Sequence, residues 1–285
     1  CMYTAGQGGD GLAGAAISGS GRLVAACLEN GTTALWDVAE RRAAYADPDA
    51  KLRSRRFGFL GGVAGLRDVG DDGWEEGSAW YQPQHLLLGH RGPVYSASIS
   101  YDDRFVITSS EDGTVRLWSS ETASHVLVLK GHNYPVWGVE WSPEGFYLAT
   151  ASYDGTARLW SMHHQYPLRV LVGHVGDVDC VKFHPNCNYI ATGGADRTVR
   201  LWDIREAGKE VRRMGGGHTT GVSALGFSPD GRFLASGSDA GEVTFWDLGS
   251  ARPVCKVPGT GDPDAPAPPP AAGPPAGAAL QQLAQ

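Results

Sequence analysis

An all-β fold assembled from repeating four-stranded units is predicted by three observations. Gly-His pairs end at His90, His132, His174 and His218, and strand-like runs end at Trp118, Trp160, Trp202 and Trp246. Each histidine stands 28 residues before its tryptophan, and the units recur every 42, 42 and 44 residues. Within a unit the apolar pattern has period two, as in Val94–Ile99 and Phe105–Thr108, with turn residues between the runs. A period of this length with alternating strands is the signature of β-propeller blades.

The first blade is placed at about 10–38, where the alternation leads into Leu35-Trp36-Asp37. The others are placed at about 85–130, 131–172, 173–214 and 217–257. Asp112-Gly113 and Asp154-Gly155 read as tight hairpins between second and third strands. Thr114–Trp118 and Thr198–Trp202 read as third strands, and the fourth strands fall near Val126–Leu129, Leu168–Val172, Val211–Met214 and Pro253–Val257. Residues 39–84 admit two readings, a long loop or a degenerate blade ending near Trp80. Their Gly-rich and charged patches, without a pair of alternating strands, favour the loop. The propeller is thus drawn at 1–257. Residues 258–285 are rich in Pro, Ala and Gly, cannot bury enough apolar surface to order themselves, and are expected to be a disordered tail.

With 285 residues, of which 42% are hydrophobic, the chain can bury a sizeable core. A net charge of −7 gives no general attraction for nucleic-acid phosphates, so sequence-specific DNA binding is not expected. Five cysteines without a C-x-x-C spacing suggest neither a disulfide framework nor a zinc ribbon, and point to a reducing compartment. No apolar run is long enough to cross a bilayer as a helix, and no membrane association is expected. The opening on Cys1 rather than methionine is read as the start of a fragment.

The Gly-His, Ser-x-Asp and Trp-Asp words at these intervals resemble WD repeats. That resemblance implies a hydrogen-bonded tetrad of polar side chains tying each blade together, each satisfied bond contributing about 0.5–1.5 kcal/mol net. Carried over by position, the second blade has His90, Ser110, Asp112 and Trp118, and the third has His132, Ser152, Asp154 and Trp160. The fourth keeps His174, Asp196 and Trp202, with Gly194 at the hydroxyl position. The fifth keeps His218, Ser238 and Trp246, with its acid displaced to Asp239 and Ala240 in the tetrad position. Both are therefore expected to be weaker blades, and Gly194→Ser is expected to stabilise. Counting 28 back from Trp36 reaches Gly8, not a histidine.

Beyond the tetrads, Lys130–Trp137, Tyr166–Val170, Phe183–Asn186, Asn188–Gly193 and Ala195–Asp203 together resemble the WD domain of the TFIID subunit 5 family, which also occurs in SAGA-type coactivators. A long insertion between the first two repeats fits the same family. The resemblance implies a nuclear, non-enzymatic scaffold that docks histone-fold TBP-associated factor subunits and other TFIID or SAGA subunits. It also implies seven blades, so that the remaining ones are expected to be missing through truncation or an altered gene model. From a different class, a WD-repeat substrate receptor of a ubiquitin ligase is the alternative.

No catalytic, metal or cofactor site is expected. His163-His164 falls in a turn without a ligand partner at metal spacing, and His184 precedes Pro185 in another turn. His, Ser and Asp repeated in every blade argue for structure rather than one activated nucleophile. Arg116, Arg158 and Arg200, each two residues before a tryptophan, recur as packing elements would. WD domains commonly bind partners through the residue five after the histidine and the one before the tetrad acid. These positions hold Tyr95, Trp137, Asp179 and Ser223, with Glu111, Tyr153 and Ala195 beside them. Tyr95, Glu111, Trp137, Tyr153 and Asp179 are the partner-binding candidates, with inter-blade packing as the alternative role of Tyr95 and Trp137.

Overall fold

The computed structural model describes residues 11–38 and 85–259, and every regular element among them is a strand or a turn apart from a single helical residue, Val38. The insertion at 39–84, the tail from 260 onward and Gly8 lie outside the described residues.

Five antiparallel sheets of four strands follow one another along the chain. Blade 1 is β1 (Leu12–Ile17), β2 (Leu23–Leu28), β3 (Thr32–Asp37) and β4 (His85–Leu88). Blade 2 is β5 (Val94–Ile99), β6 (Phe105–Ser110), β7 (Thr114–Ser119) and β8 (His125–Lys130). Blade 3 is β9 (Val136–Trp141), β10 (Tyr147–Ser152), β11 (Thr156–Ser161) and β12 (Arg169–Val172). Blade 4 is β13 (Val178–Phe183), β14 (Tyr189–Gly194), β15 (Val199–Asp203) and β16 (Lys209–Met214). Blade 5 is β17 (Val222–Phe227), β18 (Phe233–Ser238), β19 (Val243–Asp247) and β20 (Arg252–Val257).

One boundary differs from the sequence-based placement. Residues 85–88 do not open the second blade; they pair with Thr32–Leu35 and complete the first from beyond the insertion. A sequence repeat that begins with the outer strand of one blade and continues into the next is offset from the structural blade. This outer strand is short, with only Leu87 buried, and so carries little alternation of its own.

The first strands β1, β5, β9, β13 and β17 pack in succession. Each blade-to-blade seam repeats one pattern. Between blades 2 and 3, Ile107, Val115, Leu117 and Leu129 meet Val136, Val139, Leu148 and Trp160. Between blades 4 and 5, Ala191, Val199, Leu201 and Met214 meet Val222, Leu234 and Trp246. The small residues Ala149, Ala151 and Ala191 on second strands let neighbouring blades approach closely.

The two ends of this row are uncovered. In blade 5, Ala235, Val243, Phe245 and Val257 hold the register positions that Ala191, Val199, Leu201 and Met214 hold in blade 4. Phe245 is 40% exposed, whereas Leu201 is 5%. In blade 1, Ile17, Val24 and Trp36 repeat the register of Phe183, Ile190 and Trp202. Ile17 is 71% exposed and Trp36 is partly exposed, while the four later repeat tryptophans are at most 2% exposed. Among the described residues, the blades therefore form a row with two apolar faces open to solvent.

Candidate functional site

Each complete tetrad is a chain of three hydrogen bonds. In blade 3, Trp160 Nε1 donates to Thr150 Oγ1 at 3.0 Å, His132 Nε2 lies 2.8 Å from the same hydroxyl, and His132 Nδ1 lies 2.7 Å from Asp154 Oδ2. A carboxylate only accepts, so Nδ1 carries the proton, and Nε2 then accepts from the threonine hydroxyl. A neutral imidazole satisfies the whole chain. Burial lowers the pKa of His132, against the pull of Asp154. Burial pushes Asp154 up, but the bonds from His132 and Thr156 outweigh it and hold the acid well below the usual carboxylate range.

The same chain runs through Trp118, Thr108, His90 and Asp112 in blade 2, and through Trp202, Thr192, His174 and Asp196 in blade 4. Asp196 is likewise pushed up by burial, yet held down at about 2 by Thr198 and His174. Arg158 and Arg200 reach back four residues to the tetrad acids at 3.3 and 3.5 Å, a packing role fitting their recurrence. The glycine before each histidine is required by contact. A Cβ on Gly131 would stand 2.8 Å from both Arg158 Nη1 and the Trp160 ring.

This geometry corrects the hydroxyl assignment. Ser110, Ser152 and Ser238 are not the tetrad hydroxyls; Thr108, Thr150, Thr192 and Ser236 are. Thr108 is the diagonal neighbour of Trp118, two residues along from Val106, which lies opposite the indole. Ser110 lies four residues along, about 13 Å away, beyond the reach of the ring nitrogen. Its hydroxyl instead donates to the Gly92 carbonyl at 3.1 Å, as Ser152 does to Pro135 at 2.8 Å. Ser238 Oγ lies 3.5 Å from Glu242 Oε2.

Blade 4 is consequently complete, and Gly194 is no defect. A Cβ there would run into the Asp177 carbonyl, so Gly194→Ser is destabilising rather than restorative. A signal was present in the sequence. A hydroxyl stands ten residues before every one of these four tryptophans, whereas the serine position fails once.

Blade 5 keeps His218 bonded to Ser236 Oγ at 2.6 Å, with Trp246 Nε1 donating to the same oxygen at 2.7 Å. Ala240 does occupy the acid position, and the buried His218 Nδ1 has no hydrogen-bond partner. Glu242, held by Lys256 at 3.0 Å, stands 3.9 Å from that nitrogen. In blade 1, Ala26 occupies the hydroxyl position, although Asn30 Oδ1 still ties the turn by accepting from Thr32.

The partner-binding candidates share one end of the row, because a first strand begins where the antiparallel second strand ends. Tyr95, Trp137, Asp179 and Ser223 are the second residues of β5, β9, β13 and β17. Glu111, Tyr153, Ala195 and Asp239 head the adjacent hairpins and are exposed. Tyr95 and Trp137 do pack across the seam, with ring centroids 4.7 Å apart, and both remain partly exposed. Trp137 in turn meets Tyr153 at 6.4 Å, and Tyr153 meets Tyr134 at 5.8 Å. Tyr134, Asp177 and Asp239 belong to the same rim but were not among the candidates. Tyr134 and Asp177 precede their strands rather than recurring at one repeat position.

His163 and His164 are exposed in a turn. His184 Nε2 lies 2.9 Å from the Gly231 carbonyl, joining the turns of blades 4 and 5.

Comparison with known proteins agrees with this geometry. The family model "WD domain, G-beta repeat" matches residues 81–119, 123–161, 165–203 and 208–247, more than half of the chain. Transcription initiation factor TFIID subunit 5 of Arabidopsis thaliana is 42% identical over 129 residues, covering 45% of this chain and 17% of that protein. The protein of the same name from Encephalitozoon cuniculi is 32% identical over 130 residues, covering 46% and 21%. The SAGA complex/transcription factor TFIID complex subunit Taf5 of Schizosaccharomyces pombe is 47% identical over 36 residues, covering 13% and 6%. The matched stretch thus spans less than a quarter of each of these relatives. The chain belongs to the WD domain, G-beta repeat family, with a repeat region similar to that of TFIID subunit 5.

Proposed function

We propose that the chain is a non-enzymatic scaffold of a nuclear transcription complex of the TFIID or SAGA type, supporting RNA polymerase II initiation by holding other subunits. The 42% identity over 129 residues to a TFIID subunit 5 carries this reading. Histone-fold subunits are the expected partners. A rigid platform suits the task, because tetrad-tied blades present preformed surfaces and little ordering entropy is lost on binding.

A catalytic role is disfavoured by the tetrads themselves. Each His, hydroxyl and acid set superficially mimics a nucleophile with its base, but the hydroxyl already accepts from a buried indole. Such an oxygen is held by two partners and shielded from substrate.

Affinity purification of the tagged full chain from nuclear extract, with mass-spectrometric identification of what co-purifies, tests the reading. Enrichment of TFIID or SAGA subunits is the expected result. Recovery of ubiquitin-ligase adaptors in their place overturns it.

A further inference from the structure

The rim described above divides into two unlike halves. Blades 2 and 3 contribute the aromatic series Tyr95, Trp137, Tyr153 and Tyr134, of which Tyr153 and Tyr134 are 50% and 54% exposed. Blades 4 and 5 contribute Asp177, Asp179 and Asp239. The halves touch, because Gly138 lets β13 lie close to β9: a Cβ on Gly138 would be 3.1 Å from the Asp179 carbonyl. Two of the carboxylates also converge. Asp239 and Asp179 each place an Oδ2 over Gly221, 3.2 and 3.8 Å from where its Cβ would stand.

Several acids elsewhere in the fold are matched. Asp196 faces His174 and Arg200, Glu140 faces Lys182, and Glu242 faces Lys256. None of Glu111, Asp177, Asp179 and Asp239 forms an ion pair among the described residues. Burial, then repulsion from Asp177, Asp239 and Asp196, raises Asp179 to about 6, as expected of a carboxylate with no cation nearby.

Exposed rings beside unmatched carboxylates are complementary to a cationic side chain with an apolar stem. Guanidinium and ammonium groups bind the faces of Trp and Tyr, and carboxylates pair their charge. Nucleic acid is repelled by the same acids, and a purely apolar segment leaves them unmatched.

We propose that this rim, Tyr95, Trp137, Tyr153 and Tyr134 beside Asp177, Asp179 and Asp239, docks a basic peptide segment of a partner protein. Its Lys or Arg side chains lie over the rings and pair with the carboxylates. The proposal rests on the scaffold reading and specifies the chemistry of what that scaffold holds.

Fluorescence anisotropy on the full chain tests it, with a labelled 12-residue peptide alternating Arg and Ser around a central Leu, and counterparts carrying Glu or Ser in place of Arg. The basic peptide alone should bind. Asp179→Asn with Asp239→Asn should weaken it about tenfold, and Tyr153→Ala severalfold. These exposed or half-buried changes relieve repulsion or trim a surface ring, so the thermal midpoint should be retained. Glu144→Gln with Asp230→Asn, which changes net charge equally away from the rim, should leave binding unchanged. Equal weakening by this control pair, equal binding of the Glu or Ser peptides, or no effect of the rim pair overturns the proposal. If peptide binding is lost while TFIID or SAGA subunits still co-purify with the chain, the rim chemistry fails and the scaffold reading stands. Rim-dependent peptide binding without those subunits supports the rim and removes the scaffold reading.

Discussion

Blades 2 to 4 and blades 1 and 5 are built on one repeat, yet they hold together differently. In the middle three, a buried indole, a threonine, a histidine and an aspartate saturate one another, and apolar seams cover both faces. At the ends each blade lacks part of both. Blade 5 leaves His218 Nδ1 without a partner and Phe245 exposed, and blade 1 has Ala26 for the hydroxyl and a partly exposed Trp36. The lesson is that the tetrad and the seam reinforce each other, because a buried polar chain contributes only where neighbours exclude water.

The largest contrast should come from the tryptophans. Trp160→Ala is expected to cost about 3–5 kcal/mol, since it empties a seam and removes a donor from Thr150. Trp36→Ala should cost clearly less. Chemical denaturation of the two variants compares them, and equal losses would erase the distinction between middle and end.

Thr192→Val comes next, because it leaves both His174 Nε2 and Trp202 Nε1 buried without a partner, at about 1–3 kcal/mol for each group. Gly194→Ser should also destabilise, through the Asp177 carbonyl. A rise in the denaturation midpoint of Gly194→Ser would return the hydroxyl role to that position. Ala240→Asp should act in the opposite direction in blade 5. By giving His218 Nδ1 an acceptor, it is expected to stabilise by about 0.5–1.5 kcal/mol in the same assay.

Exposed end faces predict association. Light scattering on the isolated chain should report a mass above 30.2 kDa that rises with concentration, and Phe245→Glu should reduce it. A compact monomer at all concentrations would show the ends to be covered.

The smallest effect is that of pH. His132 and His174 have folded pKa values below the ordinary 6.5, so an unfolded chain binds protons more readily than the folded one. Their contribution is full above that value and declines as pH falls below it. Asp196 follows the same sign lower down, between its ordinary value and about 2. Asp179, raised to about 6, gains stability over the same fall in pH, so the check is ring titration of the individual histidines by NMR. A His132 or His174 ring that protonated above the ordinary value would contradict this assignment.

Much of this was legible in the sequence. The 28-residue spacing located four histidines and four tryptophans that the fold does bring together, and alternation located most strands. The outer strand His85–Leu88 was misplaced because its pairing crosses the long insertion, which local pattern cannot reveal. The tetrad hydroxyls were missed because Thr108 and Ser110 share a strand face, and period two alone cannot tell which of them stands beside the indole. Gly194 looked like a loss because the approach of Asp177 is a tertiary contact. The rim was legible as positions, but the neighbourhood of Asp179 and Asp239 depends on packing between blades.

Hydrogen exchange followed by mass spectrometry, resolved blade by blade, tests the central claim most directly. Amides of β6, β10 and β14 should exchange last and together, with β2 and β18 exchanging earlier, and Thr192→Val should shift β14 into the earlier group. Wild-type β14 exchanging alongside β18 would contradict the account, because blade 4 would then lack the complete tetrad assigned to it.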